Sequence, residues 1–169
     1  MNATNEHVLG VPTVQSGATT TMALPTTTRV SISSSGAQGN LPSYAVAITP
    51  DGRYVAFTSV ATQIWVMGDT NGTSDAFVHD RQTGETSWVS ITDTGQQAAP
   101  RENPDETSGS VAQGISADGR YVVFRSDAPN LVAGTNRRFN VFVRDRVRGR
   151  TTRVSVMAPP AATGTDASQ

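Results

Sequence analysis

ITPDGRYVAFTS (Ile48–Ser59) returns 67 residues later as ISADGRYVVFRS (Ile115–Ser126). DAFVHDRQTGETSWVSI (Asp75–Ile91) returns as NVFVRDRVRGRTTRVSV (Asn140–Val156), at an offset of 65. The parts keep their order in both copies, so the chain carries a tandem repeat, the signature of an array of like supersecondary units. A third copy of the last piece, TTTRVSI (Thr26–Ile32), stands alone near the N-terminus.

Each repeat reads as four short strands rich in Val, Ile, Phe, Tyr and Thr and bounded by turn residues. Strand a is expected at Ala45–Thr49 and Val111–Ser116, and strand b at Tyr54–Ser59 and Tyr121–Ser126. Strand c is expected at Asp75–Asp80 and Asn140–Asp145, and strand d at Thr86–Ile91 and Thr151–Val156. Pro50-Asp51-Gly52 and Ala117-Asp118-Gly119 close the a–b hairpins, and Gly84 and Gly149 close the c–d turns. Glycine there supplies a positive φ without steric cost. No segment shows sustained helical periodicity. Strand b departs from alternation: YVAF and YVVF are apolar throughout. Both faces of such a strand need cover, which places its sheet between two others.

These residues resemble the WD40-like, PD40-type repeats of TolB-like β-propellers. The resemblance lies in TPDGRYVAF, DAFVHD and TSWVS of the first copy and SADGRYVVF, NVFVRD and TTRVS of the second. It covers roughly Thr26 to Val156; Arg148 departs from it, replacing the threonine of the T-G turn. It implies an all-β fold of four-stranded antiparallel blades. One blade spans about 45–91, a second about 111–156, and an extra N-terminal strand 26–32, the three forming a two-blade unit over 26–156. Segments 1–25 and 157–169 are rich in Thr, Ala, Ser and Gly and read as flexible. A closed propeller needs about four to eight blades. Two blades leave apolar faces open, so the chain is expected either to self-associate or to belong to a longer propeller. The extra strand lacks a strand c of its own. It is expected to pair with an exposed strand c in this chain or another, with Val30 and Ile32 buried, or to be the remnant of an upstream blade.

Composition narrows the chemistry. Among the 169 residues, 13 Lys+Arg face 14 Asp+Glu, and every basic residue other than His is arginine. A charge near zero exerts no global pull on nucleic acid or an anionic membrane. The absence of cysteine excludes disulfides, thiolate metal sites and cysteine nucleophiles. No apolar run approaches the roughly 18 residues of a membrane span. The opening MNATNEHVLGVPTVQSG has neither a basic n-region nor an apolar h-region, so no signal peptide is expected in it. The resemblance points to a periplasmic or extracellular location, with any export signal outside this sequence.

Four groups of residues are candidate sites. In GDTNGTSD (Gly68–Asp75), Asp69, Asn71 and Asp75 offer oxygen ligands around a glycine, as a calcium ion requires. The competing reading is an Asx-type turn. No other cofactor is expected. Arg144 and Arg146 belong to a run of seven arginines within Arg137–Arg153 and suggest an anion-binding stripe. The c–d turn interrupts that stripe and no aromatics interleave with it, which favours a solvated rim and no nucleic acid. Trp65 and Trp88 are the only tryptophans. An exposed indole at Trp88, on an outermost strand, is suited to stack on a sugar or a protein, while simple packing under the long loops is the competing reading and the favoured one. His79 reads as a surface or edge residue. No nucleophile elbow or H-E-x-x-H motif accompanies it, so no catalytic residue is expected. Asp51, Asp118, Asp80 and Asp145 recur at matched positions and read as turn-forming.

The function expected is a non-enzymatic binding or scaffold module with a protein or glycan partner. The resemblance also admits a propeller fragment of a larger enzyme, such as a peptidase gating domain, and a two-blade oligomerising lectin.

Overall fold

The computed structural model describes residues 26–64, 68–101, 108–135 and 138–156. The segments 1–25 and 157–169, expected to be flexible, lie outside the described residues, as does Trp65. The described residues form eight strands and no helix: β1 (Ser43–Ile48), β2 (Tyr54–Ser59), β3 (Asp75–Asp80), β4 (Thr86–Trp88), β5 (Ser110–Ile115), β6 (Tyr121–Ser126), β7 (Asn140–Asp145) and β8 (Arg150–Arg153). They pair in two antiparallel sheets, β1-β2-β3-β4 and β5-β6-β7-β8, each in sequence order. This is the up-and-down build of adjacent propeller blades. The inner pairs β2–β3 and β6–β7 match the expected boundaries. The fourth strands are shorter than expected, because the chain turns away after Trp88 and Arg153.

Register decides which side chains share a face, since directly opposed residues lie on the same side of the sheet. In blade 1, Val55 opposes His79 and Phe57 opposes Phe77, which opposes Trp88. Ala56 opposes Val78 and Thr58 opposes Ala76 on the other face. That second face packs on blade 2, where Ala56, Ala76, Val78 and Val89 join Ala112, Val122, Phe124 and Phe142 in one buried core. The Thr58 hydroxyl accepts the Ala112 N–H across the blades at 3.0 Å. Blade 1's other face holds Phe57, Phe77 and Trp88 in a stack with centroids 5.5 and 5.7 Å apart. Ala61 and Ile64 from the β2–β3 loop cover it. The two-faced apolar strand b is thus satisfied in blade 1, where β2 is buried from Val55 to Ser59. In blade 2 it is satisfied on one side only: Tyr121 is 38% exposed and Val123 half-buried.

One ring spans the blade junction. Tyr54 lies over the β5–β6 turn, between the guanidinium groups of Arg53 (4.7 Å to the ring centroid) and Arg146 (5.0 Å). Gly119 in that turn has φ +71°, and a Cβ added there would stand 2.2 Å from a Tyr54 ring carbon. Gly52 in the matching turn of blade 1 has φ +72°, but its Cβ would meet only the end of Arg81 at 3.4 Å.

The N-terminal segment differs from expectation. Thr26–Val30 makes no strand, and Val30 and Ile32 are half-buried rather than buried. Ile32 forms an isolated bridge to Gln38, as Ile91 does to Gln97. Residues 31–39 therefore fold as 90–98 do. Each stretch turns back on itself through matching bonds, Ser33 N–H to the Ala37 carbonyl and Thr92 N–H to the Gln96 carbonyl, at 2.8 and 2.9 Å. Pairing along a strand c is not what orders this piece; docking on the next blade's fourth strand is.

Gly119→Ala is expected to destabilise the protein more than Gly52→Ala. Both pay the strain of a non-glycine residue at positive φ, on the order of 1 kcal/mol or more. Only the first also drives a methyl group into Tyr54, adding about 1–3 kcal/mol. Denaturant midpoints measured side by side check the order; equal midpoints would mean that Tyr54 does not sit on the turn.

Candidate binding surface

The charged residues that recur between repeats are taken up by turns and blade contacts. Asp80 accepts the N–H groups of Gln82 and Thr83 within its own turn, at 2.9 and 3.4 Å. Its second partner is Arg53, which binds it through Nε and Nη2. Asp145 repeats the pattern with Val147, Arg148 and Arg120. In each pair the arginine's hydrogen bond holds the carboxyl well below the usual carboxylate range. Asp51 and Asp118 each accept a hydroxyl, from Thr49 and Ser116, and a backbone N–H two residues on. The turn-forming reading of these four aspartates is the observed geometry. Arg148 fits because the turn uses its backbone N–H and not its side chain.

A second recurring feature locks each blade to the segment before it. His79 Nδ1 lies 2.9 Å from Thr86 Oγ1, and that hydroxyl donates to the Ile32 carbonyl at 2.6 Å. With its proton so committed, the hydroxyl accepts from the imidazole, which fixes the proton on Nδ1. In blade 2, Arg144 Nη1 donates to Thr151 Oγ1 at 3.0 Å, and Thr151 donates to the Ile91 carbonyl at 2.7 Å. The threonine N–H groups are held as well, by Ser34 Oγ and Asp93 Oδ1. Imidazole and guanidinium thus do one job at one position.

This geometry corrects three expectations. His79 is 4% exposed and Arg144 7% exposed, so neither is a surface residue. Burial pushes the His79 and Arg144 pKa values down. Arg146 is not part of a solvated rim: it is half-buried, donates to the Gly119 carbonyl at 2.6 Å and to Ser87 Oγ at 3.2 Å, and burial lowers its pKa too. Trp88 is not an exposed platform. It is 5% exposed, stacked on Phe77, and its indole N–H donates to Ser90 Oγ at 2.9 Å. The missed signal was the strand register, which pairs Trp88 with Phe77 across the sheet.

The structure brings Asp69, Asn71 and Asp75 together, in successive Asx turns. Asp69 Oδ1 accepts the Asn71 N–H at 3.0 Å, and Asn71 Oδ1 accepts the Thr73 N–H at 2.8 Å. Asp75 is fully buried, with Ser90 Oγ donating to Oδ1 at 2.6 Å and Asn71 Nδ2 to Oδ2 at 2.9 Å. A cation entering this loop has to displace those donors. Among the described residues no group of three or more His, Cys, Asp or Glu side chains stands in metal-binding range. Burial raises the Asp75 pKa to about 7. Blade 2 has Asn140, a neutral amide, at the same position.

Asp75 is therefore a pH-dependent element of blade 1. Its folded pKa lies above its unfolded value, so its contribution is full below about pH 4 and fades as the pH rises through about 7. Asp75→Asn is expected to flatten the fall in melting temperature across that window. At about pH 8 the variant is expected to be more stable than the parent by on the order of 2–4 kcal/mol. Thermal unfolding of both proteins across the range checks it; parallel profiles would mean that the carboxylate is already ionised and paired.

No family model matches the chain, and no curated protein matches it in sequence. Among solved structures it is similar to the putative TolB from Agrobacterium tumefaciens, at 17% identity and a TM-score of 0.42 over 70% of this chain and 32% of that one. It is also similar to TolB from Acinetobacter baumannii, at 18% identity and a TM-score of 0.41 over 70% of this chain and 22% of that one. The chain thus spans about a third of the length of the first and about a fifth of the second.

Proposed function

We propose that this chain is a non-enzymatic binding module that works through exposed faces of its blades, and that its partner is a protein surface. One observation carries the reading. The recurring charged side chains are spent on turns and blade junctions, while apolar side chains on ordered strands stand open to solvent. On β1 these are Tyr44 (65% exposed) and Ile48 (57%). On blade 2 they are Tyr121 and Val141, with Val154 just past the end of β8. Apolar side chains left open to solvent on rigid strands are typical of association surfaces. Ile48 makes the point by comparison. Its repeat partner Ile115 packs against the core between the blades, so Ile48 has the residue type of a covered position without the cover.

The test uses an environment-sensitive apolar dye. The folded protein is expected to bind it. Serine at Tyr44, Ile48, Tyr121 and Val141 together is expected to abolish most of the emission while leaving the far-UV circular dichroism intact. Unchanged emission in the folded variant would overturn the surface reading. Turnover of a peptide, ester or glycoside substrate that is lost in His79→Ala would overturn the non-enzymatic one.

A further inference from the structure

The contact between the two blades has a seat and an occupant. The occupant is Tyr54. The floor of the seat is Gly119, where no Cβ fits beneath the ring. The wall is Arg146, tied by Nη1 to the Gly119 carbonyl and facing the ring 5.0 Å from its centroid. Arg53, from the tyrosine's own blade, also lies over the ring, 4.7 Å from its centroid.

The seat recurs in blade 1 and is open. Gly52 adopts φ +72°, and Arg81 Nη1 donates to the Gly52 carbonyl at 2.6 Å, as Arg146 does to Gly119. Asp51, Gly52, Arg53, Arg81 and Gln82 line a cleft of about 390 Å³ at this point. Beside it, Ile48 is exposed where Ile115 of the other blade is packed. The occupant recurs in blade 2 and is unseated. Tyr121 opposes Asp145 in the register in which Tyr54 opposes Asp80. Arg120 lies 4.8 Å from its centroid, in the place of Arg53. Val123, Val141, Val143 and Val154 hold the repeat positions of Ala56, Ala76, Val78 and Val89, the core against which Tyr54 packs.

We propose that Tyr121 of one copy of this chain seats in the Gly52–Arg81 cleft of a second copy, so that copies join head to tail through the tyrosine–glycine–arginine turn contact that also links the two blades within each copy. The inference rests on the association reading above and names its partner. A second copy is the occupant because each half of the junction is present in this chain at matching repeat positions, with complementary chemistry. Arg81 offers a second cation to a ring that Arg120 already approaches at 4.8 Å, as Arg146 adds to Arg53 at Tyr54. Ile48 offers an apolar side chain to a valine face. The two surfaces differ, so the contact is heterologous and repeats from copy to copy. The fourth-strand position at the junction has two claimants, because Thr27–Ser31 of the receiving copy and Thr151–Ser155 of the incoming copy carry the same TTRVS sequence. One of them serves beside β7 and the other yields.

The chain has no cysteine of its own, which makes disulfide trapping clean. Tyr121→Cys and Arg81→Cys are prepared separately. Oxidation of their equimolar mixture is expected to give a disulfide-linked dimer, and neither variant alone is expected to do so. Light scattering on the parent protein is expected to show mass rising with concentration. Arg81→Glu and Tyr121→Ala are each expected to weaken that association about tenfold or more, with unchanged circular dichroism. A folded parent that stays monomeric at all concentrations overturns the proposal. So does a disulfide that forms in Tyr121→Cys alone, which marks a symmetric contact. Dye binding without the mixed disulfide sinks this inference and leaves the binding-module reading standing; loss of dye binding together with substrate turnover sinks both.

Discussion

A sheet that is apolar on both faces has to be covered twice. In this protein that requirement falls on β2 and β6, where Tyr-Val-Ala-Phe and Tyr-Val-Val-Phe leave no polar side for solvent. Blade 1 meets it by stacking one face on blade 2 and closing the other with its own β2–β3 loop. Blade 2 meets it on the face that blade 1 covers. The stacking is driven by removal of apolar surface from water. Its orientation is set by more specific pieces: the Tyr54 ring over Gly119 and the bond from Ala112 N–H to Thr58.

Polar groups at the junctions follow from the same stacking. Once faces are buried, each hydroxyl, imidazole or guanidinium there needs a partner, because an unmet buried polar group costs roughly 1–3 kcal/mol. The threonine relay answers that need in both blades. Thr86 and Thr151 each donate to a carbonyl of the preceding segment and accept from a cationic or imidazole N–H behind them. A histidine suffices in one blade and an arginine in the other, since only a donor at the right distance is required. Much of the arginine-rich stretch near the C-terminus is explained this way: Arg144, Arg146 and Arg153 all donate to groups of the protein itself.

Function follows from what the stacking leaves over. The turns take the aspartates, the relays take the buried donors, and the remaining distinctive groups are exposed apolar side chains on strands and an arginine-walled cleft at the blade 1 turn. In the reading proposed above, the two halves of the blade junction, the tyrosine and its glycine–arginine seat, each recur once more within the described repeats. On that reading, association is a property of the repeat itself and needs no separately built site.

The repeat and its turns were readable from the residues alone. Twelve-residue and seventeen-residue copies, with Asp-Gly at one hairpin and glycine at the next, placed four strands in each unit, and β2, β3, β6 and β7 begin and end where residue type said they would. Local chemistry decides such features, since β-branched and aromatic runs and positive-φ glycines act within a few residues. The site was less legible. Trp88 and Arg153 hold matching places in the repeat, as do His79 and Arg144, yet the burial of Trp88, His79 and Arg144 was not foreseeable from their order in the chain. Whether a side chain meets solvent depends on what covers its face: for Trp88 that is Phe77 across the sheet and the β2–β3 loop, and for His79 the Thr86 relay to the segment carrying Ile32. Likewise TTTRVSI reads as a strand by its β propensity, yet Thr26–Val30 makes none, because no strand among the described residues lies beside it; TSWVSI, whose Ile91 is claimed by Thr151 as Ile32 is by Thr86, keeps its strand at Thr86–Trp88 because β3 pairs with it. The residues by themselves determined the unit and its count; the stacking of one unit on the next decided which of their polar groups became structure and which faces stayed free to bind.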